Sequence, residues 1–251
     1  MRLIIVFLAG ALYPLAFAPY SLWPAVFFSL LLLFRAYHEM PKQALPIFFC
    51  FAVGKNLVGM TWVYHSVHVF GGAEPLLALF IVGLLVLILS TFYVPAGLLS
   101  SWLLRDNQSN WLSLCFFASC LTLTEWLLTW VFTGFPWLFI GHSVLDTPFS
   151  HFLPVFGALG TGFTIALLSG LIYLFLKFRI RRYLLVALIP CCLALALIPV
   201  SWVRETSEHS VALVQANIDQ NKKWLRSERA NNFKRHLDLS QEHWDSELIV
   251  W

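Results

Sequence analysis

Residues 75–104 read PLLALFIVGLLVLILSTFYVPAGLLSSWLL and contain no charged side chain. An α-helix needs about 20 predominantly apolar residues to cross the hydrocarbon core of a bilayer. This stretch therefore predicts a membrane helix, which Pro95 is expected to kink. The whole chain has the same character, because 59% of its 251 residues are hydrophobic and 12% are charged, whereas soluble domains carry about 25% charged residues. Lipid is therefore the expected solvent for much of the protein.

Further apolar segments lie on both sides of this stretch. They cover residues 2–18, 22–36, 44–64, 111–132, 152–176 and 183–203. The segment at 22–36 is short and has Trp23-Pro24 near its start, so we expect it to tilt or to pair with the first segment as a hairpin. The first segment resembles a signal peptide, but Pro19 directly after Ala16-Phe17-Ala18 argues against cleavage. The sequence predicts a polytopic α-helical membrane protein of about seven helices.

Basic residues are distributed unevenly between these segments. They precede the first segment and lie in the second, fourth and sixth loops, namely Arg2, Arg35, Lys42, Arg105, Lys177, Arg179, Arg181 and Arg182. The first, third and fifth loops contain no Lys or Arg. Because basic loops stay on the cytoplasmic side, we expect a bacterial inner-membrane protein with a cytoplasmic N-terminus and a periplasmic tail. The net charge of +3 is too small and scattered to indicate nucleic-acid binding.

The loops predicted to lie outside are rich in aromatic residues, proline, glycine and histidine. They include FAPYSLWP at 17–24, TWVYHSVHVFGG at 61–72 and TGFPWLFIGHS at 133–143. One interpretation is an aromatic belt at the membrane interface. The convergence of three such clusters on one face, below a soluble domain, favours a site of lipid access instead.

Two ionisable residues, Lys55 and Glu125, interrupt apolar segments. A charge within a membrane is costly unless it is paired or hydrated, so both residues are functional candidates. Both segments run outward, which allows Lys55 and Glu125 to meet as an ion pair. In the alternative interpretation, Lys55 snorkels and Glu125 is protonated or hydrogen-bonded. His65 and His68 have no third ligand nearby in sequence, so no metal site is expected there.

The cysteines lie in apolar runs and lack the spacing of metal ligands or of a disulfide framework. They are Cys50, Cys115, Cys120, Cys191 and Cys192. A thiol surrounded by hydrocarbon resists ionisation, so none of the five is expected to be a catalytic nucleophile.

From residue 204 the chain becomes polar and carries more than half of its acidic residues. SVALVQANI at 210–218 and SELIVW at 246–251 predict two strands, and residues 221–244 predict a helix between them. A β-α-β unit with two apolar strands belongs to a larger buried sheet, which this short segment is too small to complete.

Together these segments resemble the apolipoprotein N-acyltransferase family. The matching stretches are FAPYSLWP, WVYHSVHVFGG, TEWLLTWVFTGFPW at 122–137, VQANIDQNKKW at 214–224 and the terminal LIVW, and their order and spacing match along the whole chain. The resemblance implies seven helices, a periplasmic nitrilase-like α/β domain and a later eighth helix. It also implies transfer of a phospholipid acyl chain, through a cysteine thioester, to the amine of a diacylglyceryl-cysteine at a lipoprotein N-terminus.

The chain departs from the family pattern at two places. The family's catalytic Glu follows LIVW in a Trp-Pro-Glu run and its Lys and Cys lie further on, whereas Trp251 is the last residue here. Glu247 precedes the strand and does not match, so no catalytic residue is assigned and the chain is expected to be an inactive fragment. Leu128 stands where the family usually has Arg, which weakens any carried-over ion-pair role for Glu125.

We therefore expect a transmembrane domain at 1–203, followed at 204–251 by the N-terminal fragment of a periplasmic nitrilase-like α/β sandwich, namely its first β-α-β unit. The expected substrate-binding residues are Pro19, Tyr20, Trp62, Tyr64, Gly134, Phe135, Pro136, Trp137 and Trp224. The resemblance implies a phospholipid acyl donor and a lipoprotein N-terminus as acceptor, and it implies neither a metal nor a cofactor. A second polypeptide carrying the rest of the domain is considered as a further partner. The alternative function is a non-catalytic membrane binding or transport module with a docking tail.

Overall fold

The computed structural model describes residues 2–103 and 109–251, so Arg105 of the predicted cytoplasmic loop lies outside the described residues. The chain divides into two compact units. The first, here called the helical unit, comprises Met1–Tyr64 and Glu74–Val200, and the second unit comprises His65–Ala73 and Ser201–Trp251.

Helices account for most of the chain before residue 200. They are α1 (Arg2–Leu12), α2 (Pro24–Glu39), α3 (Ala44–Gly59), α4 (Thr61–His65), α5 (Pro75–Thr91), α6 (Val94–Leu103), α7 (Asn110–Leu127), α8 (Leu153–Phe178) and α9 (Arg181–Leu197). Shorter 3₁₀ turns occupy Tyr13–Ala16, Ile140–Val144 and Pro148–Phe152, and a π-helical turn occupies Ser66–Phe70. Each apolar segment of the sequence therefore contains at least one helix.

Two helical stretches in the described residues, Pro75–Trp102 and Pro148–Phe178, are long and apolar enough to cross a membrane. The pair Pro41–Gly59 and Thr61–Phe70 is bent by 49° and adds a third candidate span. The other predicted segments are helical without reaching that combination of length and apolarity. Seven membrane crossings therefore remain a prediction.

The fourth apolar segment is broken, although not at the proline itself. Helix α5 ends at Thr91 and α6 begins at Val94, so Pro95 lies in the first turn of α6. Proline has no N–H group, which is no disadvantage in the first turn of a helix, where N–H groups have no partner within the helix. Further along a helix its ring would clash with the carbonyl group four residues earlier. That carbonyl belongs to Thr91, which explains why the break precedes Pro95.

Helices α1 and α3 cross with their backbones in direct contact. A methyl group on Gly10 would lie 2.1 Å from the Phe51 carbonyl oxygen, and one on Gly54 would lie 2.1 Å from the Phe7 oxygen. Small residues at a crossing let two apolar helices approach closely. The predicted hairpin of the first two segments is also present, because the Ser29 hydroxyl donates a 2.6 Å hydrogen bond to the Ala9 carbonyl.

Helix α8 packs against α2, α7 and α9 and carries much of the core of the helical unit. The rings of Phe34, Tyr37, Phe48 and Phe117 are fully buried and contact one another at centroid distances of 5.0 to 6.1 Å. This aromatic cluster ties α2, α3 and α7 together.

The second unit contains the β-α-β arrangement expected from residues 210–251. Strand β1 (Val211–Leu213) pairs in parallel with β2 (Leu248–Val250), and α10 (Gln220–Lys223) and α11 (Arg229–Ser240) connect them. The Trp251 indole donates a 2.8 Å hydrogen bond to the Ser240 hydroxyl, which fixes the end of β2 to α11. The likeness of this unit to a nitrilase-like sandwich remains a prediction.

His65 and His68 belong to the second unit and have structural contacts there. The His65 ring packs edge-on against Phe70 at 5.4 Å, and His68 Nδ1 lies 2.8 Å from the Ala73 carbonyl oxygen. Neither histidine belongs to a group of three potential metal ligands in the described part of the chain.

Candidate functional site

The helical unit contains a cavity of about 880 Å³, which is within the usual range of small-molecule sites. Three separate parts of the chain line it. They are residues 14–21, residues 58, 59, 61 and 62, and residues 136–138, 142, 143, 145 and 146. They overlap the three aromatic loops whose convergence was predicted from the sequence at residues 17–21, 61–62, 136–138 and 142–143, and we refer to this space as the loop cavity.

A tight turn forms the first wall of the loop cavity. The Phe17 carbonyl accepts hydrogen bonds from the N–H groups of Tyr20 and Ser21, at 3.0 and 2.9 Å. Ser21 adopts a positive φ of 50°, which reverses the chain before α2 begins at Pro24. The turn leaves Pro19 and Tyr20 exposed at the cavity.

A second wall of the loop cavity contains Trp62 and Trp137, and the position of Trp137 depends on a tight turn at Gly134. Its φ is +86°, and a methyl group there would lie 2.3 Å from the Thr129 carbonyl oxygen, so only glycine fits. The next N–H, that of Phe135, donates a 2.7 Å hydrogen bond to the Leu128 carbonyl, which folds the chain back on the end of α7. Trp137 then reaches the cavity, where its ring lies 5.3 Å from the ring of Trp62.

Five of the nine predicted binding residues line the loop cavity, namely Pro19, Tyr20, Trp62, Pro136 and Trp137. The other four do not. Gly134 shapes the turn, Phe135 and Tyr64 pack half-buried against the core of the helical unit, and Trp224 lies in the second unit with 80% of its surface exposed.

Five polar residues of the cavity lining were not among the binding residues predicted from the sequence. These are Ser21, Thr61, His142, Ser143 and Asp146. The Ser143 hydroxyl donates to the Ile140 carbonyl at 2.6 Å, and the His142 ring stacks on Phe139 at 5.9 Å. Asp146 had a signal in the sequence, because it is the single acidic residue between Glu125 and Glu205.

A buried polar cluster lies within the same unit. Lys55 is only 2% exposed, so it does not snorkel to a surface. Its ammonium group donates a 3.0 Å hydrogen bond to the Tyr93 hydroxyl and lies 4.7 Å from the centre of the Tyr13 ring. A hydroxyl and an aromatic face together stabilise a cation that has left water.

Glu125 is equally buried, at 2% exposure. Its Oε1 accepts a 2.7 Å hydrogen bond from the Ile140 N–H, whereas its Oε2 has no hydrogen-bond partner among the described residues. Glu125 and Lys55 attract each other electrostatically without forming a direct ion pair. Glu125 is hydrogen-bonded, as one interpretation expected, whereas Lys55 does not snorkel and its hydrogen bond goes to Tyr93 rather than to Glu125.

A sequence model of the apolipoprotein N-acyltransferase N-terminal domain matches residues 9–171. The chain belongs to the apolipoprotein N-acyltransferase family. Curated apolipoprotein N-acyltransferases from Vibrio cholerae serotype O1 and Shewanella oneidensis are each 35% identical to it and align with 100% of the chain, which covers 50% and 49% of their lengths. The Coxiella burnetii protein is 34% identical, again over the whole chain and 53% of its own length. The chain thus spans about half the length of the curated relatives.

The family match and the site coincide in sequence. Residues 9–171 contain all three segments that line the loop cavity and also Tyr13, Lys55, Tyr93 and Glu125. Residues Ser201–Trp251 of the second unit lie beyond that match, but the alignments with curated N-acyltransferases include them. The resemblance stated from the sequence is therefore confirmed at the level of the family.

Proposed function

We propose that this chain provides the membrane-embedded part and the first β-α-β unit of an apolipoprotein N-acyltransferase. The reaction transfers an acyl chain from a phospholipid to the N-terminal amine of a diacylglyceryl-cysteine lipoprotein. The observation that carries the proposal is the loop cavity, which the family-matched residues build from three aromatic loops. The proposal includes seven crossings of the bacterial inner membrane, a cytoplasmic N-terminus, and residues 204–251 as the start of a periplasmic nitrilase-like domain.

The composition of the loop cavity suits an acyl chain beside a polar headgroup. Most of its lining is apolar, including Leu15, Phe17, Val58, Leu138 and Leu145. A ligand site needs only a few placed polar groups to orient its ligand, and the polar residues of the lining are available for that purpose. We assign the acyl chain to the apolar wall and the headgroup to the polar side chains.

The covalent step needs a nucleophile beside a base and an oxyanion donor, and we assign none of these roles to this chain. The cysteines all lie in helices α3, α7 and α9, and none of them lines the loop cavity. The relatives are about twice as long as this chain. The role proposed for the described residues is therefore the binding of lipid rather than the chemistry.

Trp224 is proposed as a second element of the substrate entrance. The residue is 80% exposed, and the Lys223 ammonium group lies 5.7 Å from the centre of its ring. An exposed indole beside a cation fits contact with a lipid headgroup region, where aromatic rings are favoured. Packing of Trp224 into the core of a complete domain is the other interpretation.

A chimaeric protein tests the proposed function. Residues 1–251 are fused to the second half of the Vibrio cholerae relative and expressed in cells depleted of their own enzyme. Mass spectrometry of a lipoprotein N-terminal peptide is expected to show the N-acylated form. A chimaera that inserts and folds but leaves the amine free, while the complete Vibrio cholerae protein acylates it, would contradict the proposal. Lipid binding without transfer would favour the membrane binding module instead.

A further inference from the structure

An irregular stretch of backbone lies inside the helical unit. Leu138, Phe139 and Ile140 are 9%, 3% and 3% exposed, although the chain between α7 and α8 forms only short turns there. Irregular backbone in an apolar interior leaves N–H and C=O groups that water does not reach. Such groups need partners from elsewhere in the protein.

Two side chains from different helical segments supply these partners. The hydroxyl of Tyr13, the first residue of the 3₁₀ turn that follows α1, donates a 3.0 Å hydrogen bond to the Leu138 carbonyl. Glu125, near the end of α7, accepts a 2.7 Å hydrogen bond from the Ile140 N–H. The two bonds lie two residues apart on the same stretch and use one acceptor and one donor of its backbone.

Three glycines make room for the same stretch. A methyl group on Gly59 would lie 2.2 Å from Leu138 Cδ1, and one on Gly141 would lie 2.2 Å from the Ala158 carbonyl oxygen. A methyl group on Gly162 would lie 3.2 Å from both Glu125 Oε2 and the Cβ of Ile140. The stretch is therefore packed tightly against α3 and α8, and small displacements are resisted from both sides.

The two anchoring side chains are themselves held in place. The face of the Tyr13 ring receives the Lys55 ammonium group at 4.7 Å, and Lys55 is fixed by its 3.0 Å hydrogen bond to Tyr93. The same ammonium group attracts the Glu125 carboxylate. Lys55 thus supports both anchors.

We infer that Tyr13 and Glu125 are positioning residues that fix residues 138–140 and thereby set one wall of the loop cavity. The wall is formed by Trp137, Leu138 and His142, which directly flank or belong to the fixed stretch. The importance of this wall for acyl-chain binding rests on the proposed function, whereas the anchoring itself does not.

The first test follows Trp137 by ¹⁹F NMR in full-length chain that carries fluorotryptophan, with the signal assigned through Trp137→Phe. Glu125→Ala removes the acceptor for the Ile140 N–H, whereas Glu125→Gln keeps an amide oxygen in its place. We expect the Trp137 signal to shift or broaden in Glu125→Ala and to keep its wild-type position in Glu125→Gln. Equal spectra for the alanine and wild-type proteins would overturn the inference.

Tyrosine variants provide an independent pair. Tyr13→Phe removes the hydroxyl that binds Leu138, whereas Tyr37→Phe removes a hydroxyl from an equally buried ring that packs against Phe48 and Phe117. The Trp137 signal is expected to change in the first variant only. A change of the same size in both would overturn the inference, and this pair decides the matter if Glu125→Ala does not fold.

The second test measures labelling of the loop cavity by a phospholipid with a photoreactive acyl chain. Loss of the Glu125 hydrogen bond lowers the fraction of molecules in which residues 138–140 hold the wall in place, by up to about tenfold, and the apparent affinity falls with that fraction. We expect labelling to fall about tenfold in Glu125→Ala and to recover in Glu125→Gln. Equal labelling of all three proteins would refute the effect of the anchors on binding. Absence of labelling in the wild type would refute the proposed function while leaving the NMR result to judge the anchors.

Discussion

Replacing Lys55 by methionine removes the cation that interacts with the buried Glu125 side chain and keeps a side chain of similar length. Two unit charges about 4 Å apart attract by about 4 kcal/mol at the effective dielectric constant that describes proteins best. Lys55 and Glu125 interact without direct contact, so we expect an attraction smaller than this, on the order of 1–3 kcal/mol. The variant also loses the hydrogen bond to Tyr93, which lowers its stability, but it no longer buries an ammonium group, which raises it. These effects oppose each other in the stability of the single variant.

The predicted quantity is therefore the coupling between two substitutions. In Glu125→Gln the amide oxygen still accepts from the Ile140 N–H, and the charge is removed. We expect the Lys55→Met, Glu125→Gln double variant to be more stable than the sum of the single variants predicts, by about 1–3 kcal/mol. The free energy of unfolding is measured by titrating sodium dodecyl sulfate into dodecylmaltoside micelles and recording circular dichroism.

Glu39→Gln provides the matched control for this cycle. Glu39 is also a carboxylate of the helical unit, but it accepts a 3.1 Å hydrogen bond from Tyr173 and lines a small cavity with Arg2, at the other end of α1. Its effect should add to that of Lys55→Met within about 0.5 kcal/mol, as for distant sites. Additivity of Lys55→Met with Glu125→Gln as well would refute the electrostatic link between the two buried groups.

Three further predictions concern other parts of the chain. Gly10→Ala should destabilise the helical unit by about 1–3 kcal/mol, because the added methyl group would lie 2.1 Å from the Phe51 carbonyl oxygen. Gly83→Ala should be neutral or stabilising, because no atom lies within 4 Å of the added methyl group. Equal effects of the two substitutions on unfolding in detergent would contradict the tight crossing of α1 and α3. Reporter fusions after Lys42, Gly72 and Ser207 should lie inside, outside and outside the cytoplasm, and a periplasmic signal at Lys42 would contradict the proposed topology. Incubation of the purified chain with labelled phospholipid should give no hydroxylamine-sensitive adduct, and a stoichiometric thioester on any cysteine would refute the structural role assigned to these residues.

The positions of the helices were predictable because hydropathy acts locally along the chain. Every apolar segment contains a helix, and the three aromatic loops meet at one cavity. The details within a loop were not predictable from composition. Trp62 and Tyr64 were grouped together, yet α4 continues through both, and residues two apart on a helix point to different faces. Trp62 therefore lines the cavity while Tyr64 packs against the core.

The anchors of residues 138–140 were hidden for a different reason. Glu125 was recognised as exceptional because a carboxylate in an apolar segment is rare, but its partner is the backbone N–H of Ile140. Every residue except proline has such a group, so no residue type in the sequence reveals the partner. Tyr13 gave still less warning, because a tyrosine at the end of an apolar segment is common at membrane interfaces.

Mapping the residues that a phospholipid acyl chain contacts is the most direct test of lipid binding in the loop cavity. The full-length chain is reconstituted in vesicles that contain a phospholipid with a photoreactive group at the end of one acyl chain, and the adducts are mapped by peptide mass spectrometry. The account predicts adducts within residues 14–21, 58–62 and 136–146, which an excess of unlabelled phospholipid suppresses. Adducts confined to exposed apolar side chains of α5, such as Leu76 and Phe80, which are 81% and 67% exposed, would contradict it.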